Sequence, residues 1–136
     1  MVPEFNDVGI MTNVLAHFDL MQEIADAEQQ RPWQAGHTAK MLFKRSDFRV
    51  VLISMESAAE LKEHHADGTI SVQVLKGTIR FTAQGRPNEL HTGQMLTLAP
   101  AVPHAVEALS DCAFLLTIAW PTPRELQAME HREYDH

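Results

Sequence analysis

One cysteine, Cys112, is too few for an internal disulfide, so nothing covalent staples this chain and a packed core has to hold it. Its neighbours Ala113, Phe114, Leu115 and Leu116 are apolar. The thiol therefore reads as a small buried hydrophobe at the start of a strand, with no basic neighbour to activate it as a nucleophile. Apolar runs of the roughly 18 residues that cross a bilayer are missing, and so is the basic-then-apolar start of an export signal. Cytoplasmic residence without membrane contact is the expectation. Basic residues are scarce as well: 11 Lys and Arg against 18 Asp and Glu leave a formal charge of -7. That balance argues against nucleic acid as a partner, because a polyanion binder needs a basic stripe. The one basic cluster, Lys40, Lys44, Arg45 and Arg49, is broken by Asp47 and reads as a solvated loop or helix end. Phosphate-cradling glycine loops, dinucleotide fingerprints and the nucleophile elbow are absent too, since no G-x-x-x-x-G-K, G-x-G-x-x-G or G-x-S-x-G occurs.

What is present describes one ordinary domain. The 136 residues are 45% apolar and 21% charged, a soluble composition in a chain long enough to bury about two thirds of its unfolded surface. From Asn13 to about Gln30, Leu15, Phe18, Met21, Ile24 and Ala25 recur at three- and four-residue steps, which predicts an amphipathic helix that stops before Pro32. After Gly36 the pattern changes to short β-rich runs at Ala39–Lys44, Phe48–Met55, Ile70–Leu75, Thr78–Thr82, Met95–Leu98, His104–Ala108 and Ala113–Trp120. Breakers separate them, among them Asp67-Gly68, Lys76-Gly77, Gly85-Arg86-Pro87-Asn88 and Thr92-Gly93, as in a sandwich or barrel. Thr122-Pro123-Arg124-Glu125 is a helix-start signature, so a short C-terminal helix is expected. The expected organisation is a helical extension over 1–36, a barrel over 37–121 and a helical tail over 122–136, all in one structural domain.

Histidine is the chemistry-bearing residue. His64-His65 stands twelve residues before Gly77, and His104 follows the run from Gly93 to Pro100. Imidazoles brought together from separate strands of one barrel are a common way to hold a transition metal. The spacing between Ser57 and Ala108 resembles the two sequence blocks of the cupin superfamily of small jelly-roll barrels. The first block (glycine, five residues, His-x-His, three or four residues, glutamate, six residues, glycine) falls on Ser57, Glu63-His64-His65, Ile70 and Gly77. The second (glycine, five residues, proline, one residue, glycine, two residues, histidine, three residues, asparagine) falls on Gly93, Ala99, Ala101, His104 and Ala108. His65, Gly77, Gly93 and His104 match outright, with fifteen residues between Gly77 and Gly93. The departures fall on ligand positions, notably Ile70, where the family has a glutamate. The resemblance covers about half the chain and implies an all-β, cupin-type double-stranded jelly-roll barrel, flanked here by the N-terminal amphipathic helix and the short C-terminal helix.

If the strand carrying the histidines is regular, Glu63 and His65 face inward and His64 outward. Glu63, His65 and His104 then form a two-histidine, one-carboxylate set that could take iron, manganese, nickel or zinc. A bulge near Ala58-Ala59 would exchange the faces and give the site to His64 instead. Metal candidates are therefore His65, His104, Glu63 and His64, and the same histidines could equally line a polar barrel mouth with no ion. Alternation of inward residues sketches an apolar cavity walled by Met55, Ile70, Val72, Phe81 and Phe114. His17, His37, His91, His131 and His136 read as surface residues.

Two classes of function stay open. One is a metal-dependent enzyme on a small organic molecule, for which the resemblance implies dioxygenase, lyase, isomerase or decarboxylase chemistry. The other is a non-catalytic small-molecule binding or sensing barrel without metal, favoured by the missing glutamate at Ile70. A homodimer through the sheet face carrying Leu115, Thr117 and Ala119 accompanies either reading.

Overall fold

Strand alternation and edge protection account for most of the architecture. The computed structural model describes residues 13–121, so the helix expected after Thr122 lies outside the described residues. Among the described residues one α-helix, α1 (Leu20–Glu28), and a 3-10 turn at Gln34–Gly36 precede nine strands: β1 (His37–Lys44), β2 (Phe48–Met55), β3 (Glu60–His64), β4 (Thr69–Lys76), β5 (Thr78–Ala83), β6 (Arg86–His91), β7 (Met95–Leu98), β8 (His104–Ala108) and β9 (Cys112–Ala119). They form a five-stranded sheet in the order β1-β2-β9-β4-β7 and a four-stranded sheet in the order β3-β8-β5-β6. Every pairing is antiparallel. Two such sheets face to face make an all-β jelly roll, as the turn spacing predicts.

The core lies between the sheets. Inward positions two apart recur on β4 (Ile70, Val72, Val74), β5 (Ile79, Phe81), β8 (Val106, Ala108) and β9 (Cys112, Phe114), and they join Ile53 and Met55 of β2 in one cluster. Cys112 is fully buried, and burial pushes its thiol up to about 11, which confirms it as a packing residue. Outside the larger sheet, Ile24 of α1 covers Leu52 and Ala113, flanked by Leu42 and Leu75.

Three elements differ from expectation, each for a physical reason. The helix begins at Leu20, seven residues later than the apolar spacing suggests, because the Asp19 side chain accepts a hydrogen bond from the Gln22 backbone N–H at 3.1 Å and caps it there. β6 was hidden by Pro87, but β6 is an edge strand of the smaller sheet, where a residue lacking an N–H is tolerated. Its hairpin with β5 turns on Gln84 and Gly85, both at positive φ (51° and 77°), as a two-residue loop of the primed type requires. β3 is the opposite edge, and its polar sequence Glu-Leu-Lys-Glu-His is what protects an exposed edge from further pairing.

Gly77 is where the chain leaves one sheet for the other. Its φ is +79°, and an added Cβ would stand 2.2 Å from the Asp111 carbonyl oxygen and 2.9 Å from the Cys112 Cβ. Left-handed strain and a backbone clash therefore act together. Gly77→Ala is expected to lower unfolding stability by about 2 kcal/mol or more, measured as a shift in the urea midpoint; a shift within error would show that the β8–β9 loop yields at no cost.

Candidate ligand-binding site

The site depends on one irregular residue pair. β3 and β8 pair as Glu60 with Glu107 and Leu61 with Val106, and then, after a slip, as His64 with His104. Three steps along β3 match two along β8, so one extra residue bulges at Lys62-Glu63. Directly opposed residues of an antiparallel pair share a face, and the bulge re-aims everything after it. His64 consequently joins His104 on the inner face. A bulge does exchange the faces, but it lies at Lys62-Glu63 and not at Ala58-Ala59.

The two imidazoles meet edge to face with ring centroids 4.4 Å apart. His104 is 3% exposed, and its ring lies stacked on Phe81 at 5.2 Å and 14°. Its Nδ1 is 3.0 Å from the Val102 carbonyl oxygen, and the Nδ1 of His64 is 3.1 Å from the Lys62 carbonyl oxygen. A carbonyl only accepts, so Nδ1 carries the hydrogen in both rings and Nε2 is the nitrogen left for a ligand. Burial holds the pKa of His104 below the ordinary 6.5. The Val102 hydrogen bond opposes that shift, and the like charges of His64 and His65 add to it.

These rings belong to a cavity of about 370 Å³ between the sheets. Phe81, Phe114, Val72, Ile53, Val106 and Leu116 give it an apolar wall, Leu61 and Ala39 continue that wall toward the mouth, and His37, Lys62, His64 and His104 are its ionisable residues. Such a volume lies in the range of small-molecule sites, about 300–1,000 Å³.

Among the residues singled out from sequence, the structure brings His64, His104, Val72, Phe81 and Phe114 together around this space. It does not bring Glu63 there: Glu63 lines a groove on the outer surface with Glu60, Arg80 and Glu107. His65 follows the end of β3 and is exposed. Met55 and Ile70 are buried in the same core at 0% and 2% exposure without lining the cavity. Among the described residues, no group of three or more His, Cys, Asp and Glu is placed to hold a metal ion.

His37 was the residue that sequence reasoning set aside. It opens β1 directly after Ala35 and Gly36, both in the left-handed region with φ of 56° and 78°, and its Nδ1 lies 3.3 Å from the Ala35 carbonyl oxygen. All three cavity histidines thus engage the carbonyl two residues upstream. The two adjacent left-handed residues are the only local signal, and one of them is an alanine that no turn rule would nominate.

Residues 51–132, more than half of the chain, match the family model of the AraC-like ligand binding domain. No curated protein sequence gives a significant match. Among solved structures the chain is similar to a conserved protein of unknown function from Streptococcus pyogenes, at 22% identity and TM-score 0.65 over 82% of this chain and 92% of that one. It is also similar to a cupin superfamily protein from Desulfitobacterium hafniense, at 15% identity and TM-score 0.62 over 68% and 85%. A cupin 2 conserved barrel domain protein from Leptotrichia buccalis shares 26% identity at TM-score 0.63, over 69% of this chain and 46% of that one. The family match establishes that the chain belongs to the AraC-like ligand-binding domain family, and its two-sheet jelly roll is the fold of these cupin neighbours.

Proposed function

We propose that the protein is a small-molecule binding barrel whose ligand places an apolar body against Phe81 and Phe114 and donates a hydroxyl or amine hydrogen to Nε2 of His64 or His104. The observation that carries this reading is the shared state of the two facing imidazoles: each Nδ1–H is spent on a backbone carbonyl, so each ring keeps one acceptor for a guest. The depressed pKa of His104 keeps that acceptor neutral near pH 7. A buried acceptor rewards a ligand that answers it and penalises one that does not, by about 1–3 kcal/mol. The family's description as a ligand-binding domain supports the same reading.

A second reading gives the two Nε2 atoms to a divalent transition ion, in the manner of metal-ligating histidines whose other nitrogen is fixed by a carbonyl. His64 and His104 would hold it, and it would supply Lewis-acid or oxygen-binding chemistry. Two protein donors fall short of the three or more such centres use; His37 lines the same cavity, but among the described residues no three such side chains are placed to hold one ion, and Glu63 lines the outer groove. The donor set does not fit such a centre, and no step of the proposed binding runs through an ion.

Phenylpropanol, titrated while the amide and aromatic resonances of Phe81, Phe114 and His104 are followed by NMR, tests the first reading. At about 0.3–0.5 kcal/mol per heavy atom, a probe of this size should bind with a Kd of about 0.2–6 mM. His64→Ala, at an exposed position, is expected to weaken binding about fivefold. Unchanged binding in both His64→Ala and His104→Ala, or shifts elsewhere on the molecule, would remove the proposed site. Repeating the titration after exhaustive chelation separates the readings: the first expects unchanged affinity, and the second expects loss of the site together with stoichiometric metal that disappears in both His64→Ala and His104→Ala.

The folded state takes up a proton at His104 less readily than the unfolded chain. Stability is therefore expected to fall as pH drops through 6.5, until the lower folded pKa is reached. Thermal unfolding from pH 7.5 to 5 should show this slope, and His104→Gln should flatten it; an equal slope in the variant would assign the effect to other groups.

A further inference from the structure

The signs of charge around the cavity are segregated in a way the overall composition does not explain. The protein carries a formal charge of -7, yet among the described residues the ionisable ones lining this cavity are His37, Lys62, His64 and His104, with no carboxylate. The acidic residues of the same strands are turned away. Glu60, Glu63 and Glu107 line the outer groove, and Glu107 accepts from Arg80 at 2.7 Å. The bulge at Lys62-Glu63 is what sorts them, since it sends the carboxylate outward where a regular strand would have sent it in.

Lys62 stands at the boundary of the two spaces, lining both the cavity and the outer groove that holds Glu60, Glu63 and Glu107. It is exposed, it lies beside the bulge, and it takes part in none of the ion pairs among the described residues. The wall below it is apolar and ends on Phe81 and Phe114. A guest that satisfies all three elements has an apolar body for the wall, a hydroxyl or amine hydrogen for the imidazole acceptor, and one negative charge for the rim.

We propose that the ligand of this cavity is a small hydroxy- or amino-monocarboxylate with an apolar, aromatic-sized body, its carboxylate held at the mouth by Lys62. The inference rests on the small-molecule reading of the cavity and adds the charge of the ligand to it. Lys62 makes the selection because, among the described residues, the cavity wall carries no carboxylate to compete with that of the guest for the partly screened attraction at the rim.

Phenyllactate and its neutral amide, phenyllactamide, test the proposal, because both keep the ring and the hydroxyl and differ in charge. Isothermal titration and NMR are run on the full chain, on Lys62→Met and on Lys44→Met as a control distant from the cavity. Phenyllactate is expected to bind about three- to tenfold more tightly than the amide. That preference should vanish in Lys62→Met, persist in Lys44→Met and shrink with added salt. If the amide binds as tightly as the acid, or Lys62→Met weakens both probes equally, the carboxylate assignment is overturned while cavity binding stands. If neither probe shifts the cavity resonances at millimolar concentration, the small-molecule reading falls with it.

Discussion

Burying an imidazole in an apolar sandwich is unfavourable unless its polar atoms are answered, and His104 meets that condition from the protein at one nitrogen. The Val102 carbonyl takes the Nδ1 hydrogen, and Phe81 supports the flat face of the ring. Among the described residues nothing bonds Nε2, so the most buried polar group of the cavity waits for its second partner to come from solution. The demand for a donor on the guest follows from this half-satisfied ring, while burial keeps the ring neutral near pH 7 and the bulge in β3 brings His64 against it.

How much of this was legible in the sequence depends on which face of the fold a residue serves. Strands inside the sandwich announce themselves, because alternation such as Ile70, Val72 and Val74 has one physical cause, burial of every second side chain. β2, β7 and β8 carry the bounds that pattern predicts. Edge strands do not, since their task is to be polar and unpaired on one side; alternation finds neither β3, which only the family resemblance suggests, nor β6, which Pro87 conceals further. The start of α1 was misplaced because Leu15 and Phe18 continue the apolar spacing past the point where Asp19 caps the helix.

The site was legible as a pair of segments and illegible as a set of side chains. His104 sits on a strand with clear alternation, so its inward aim could be read directly. His64 sits on an edge strand with a bulge, and a bulge at Lys62-Glu63 has no composition of its own; only the register against β8 reveals it. His37 arrives from a third part of the chain through the pairing of β1 with β2, where it opposes Met55. No local pattern links it to residues 64 and 104, which is why a reading along the chain left it on the surface.

The extra residue in β3 makes the polarity of the cavity a matter of register and not of residue identity. Were β3 at its present length to pair with β8 without the bulge, Glu63 would stand opposite His104 and His64 would turn outward. One sequence thus holds two facings of the same edge strand, and the slip decides whether an imidazole or a carboxylate meets the guest. Because the slip lies on an edge, it is settled without disturbing the buried layer between the sheets.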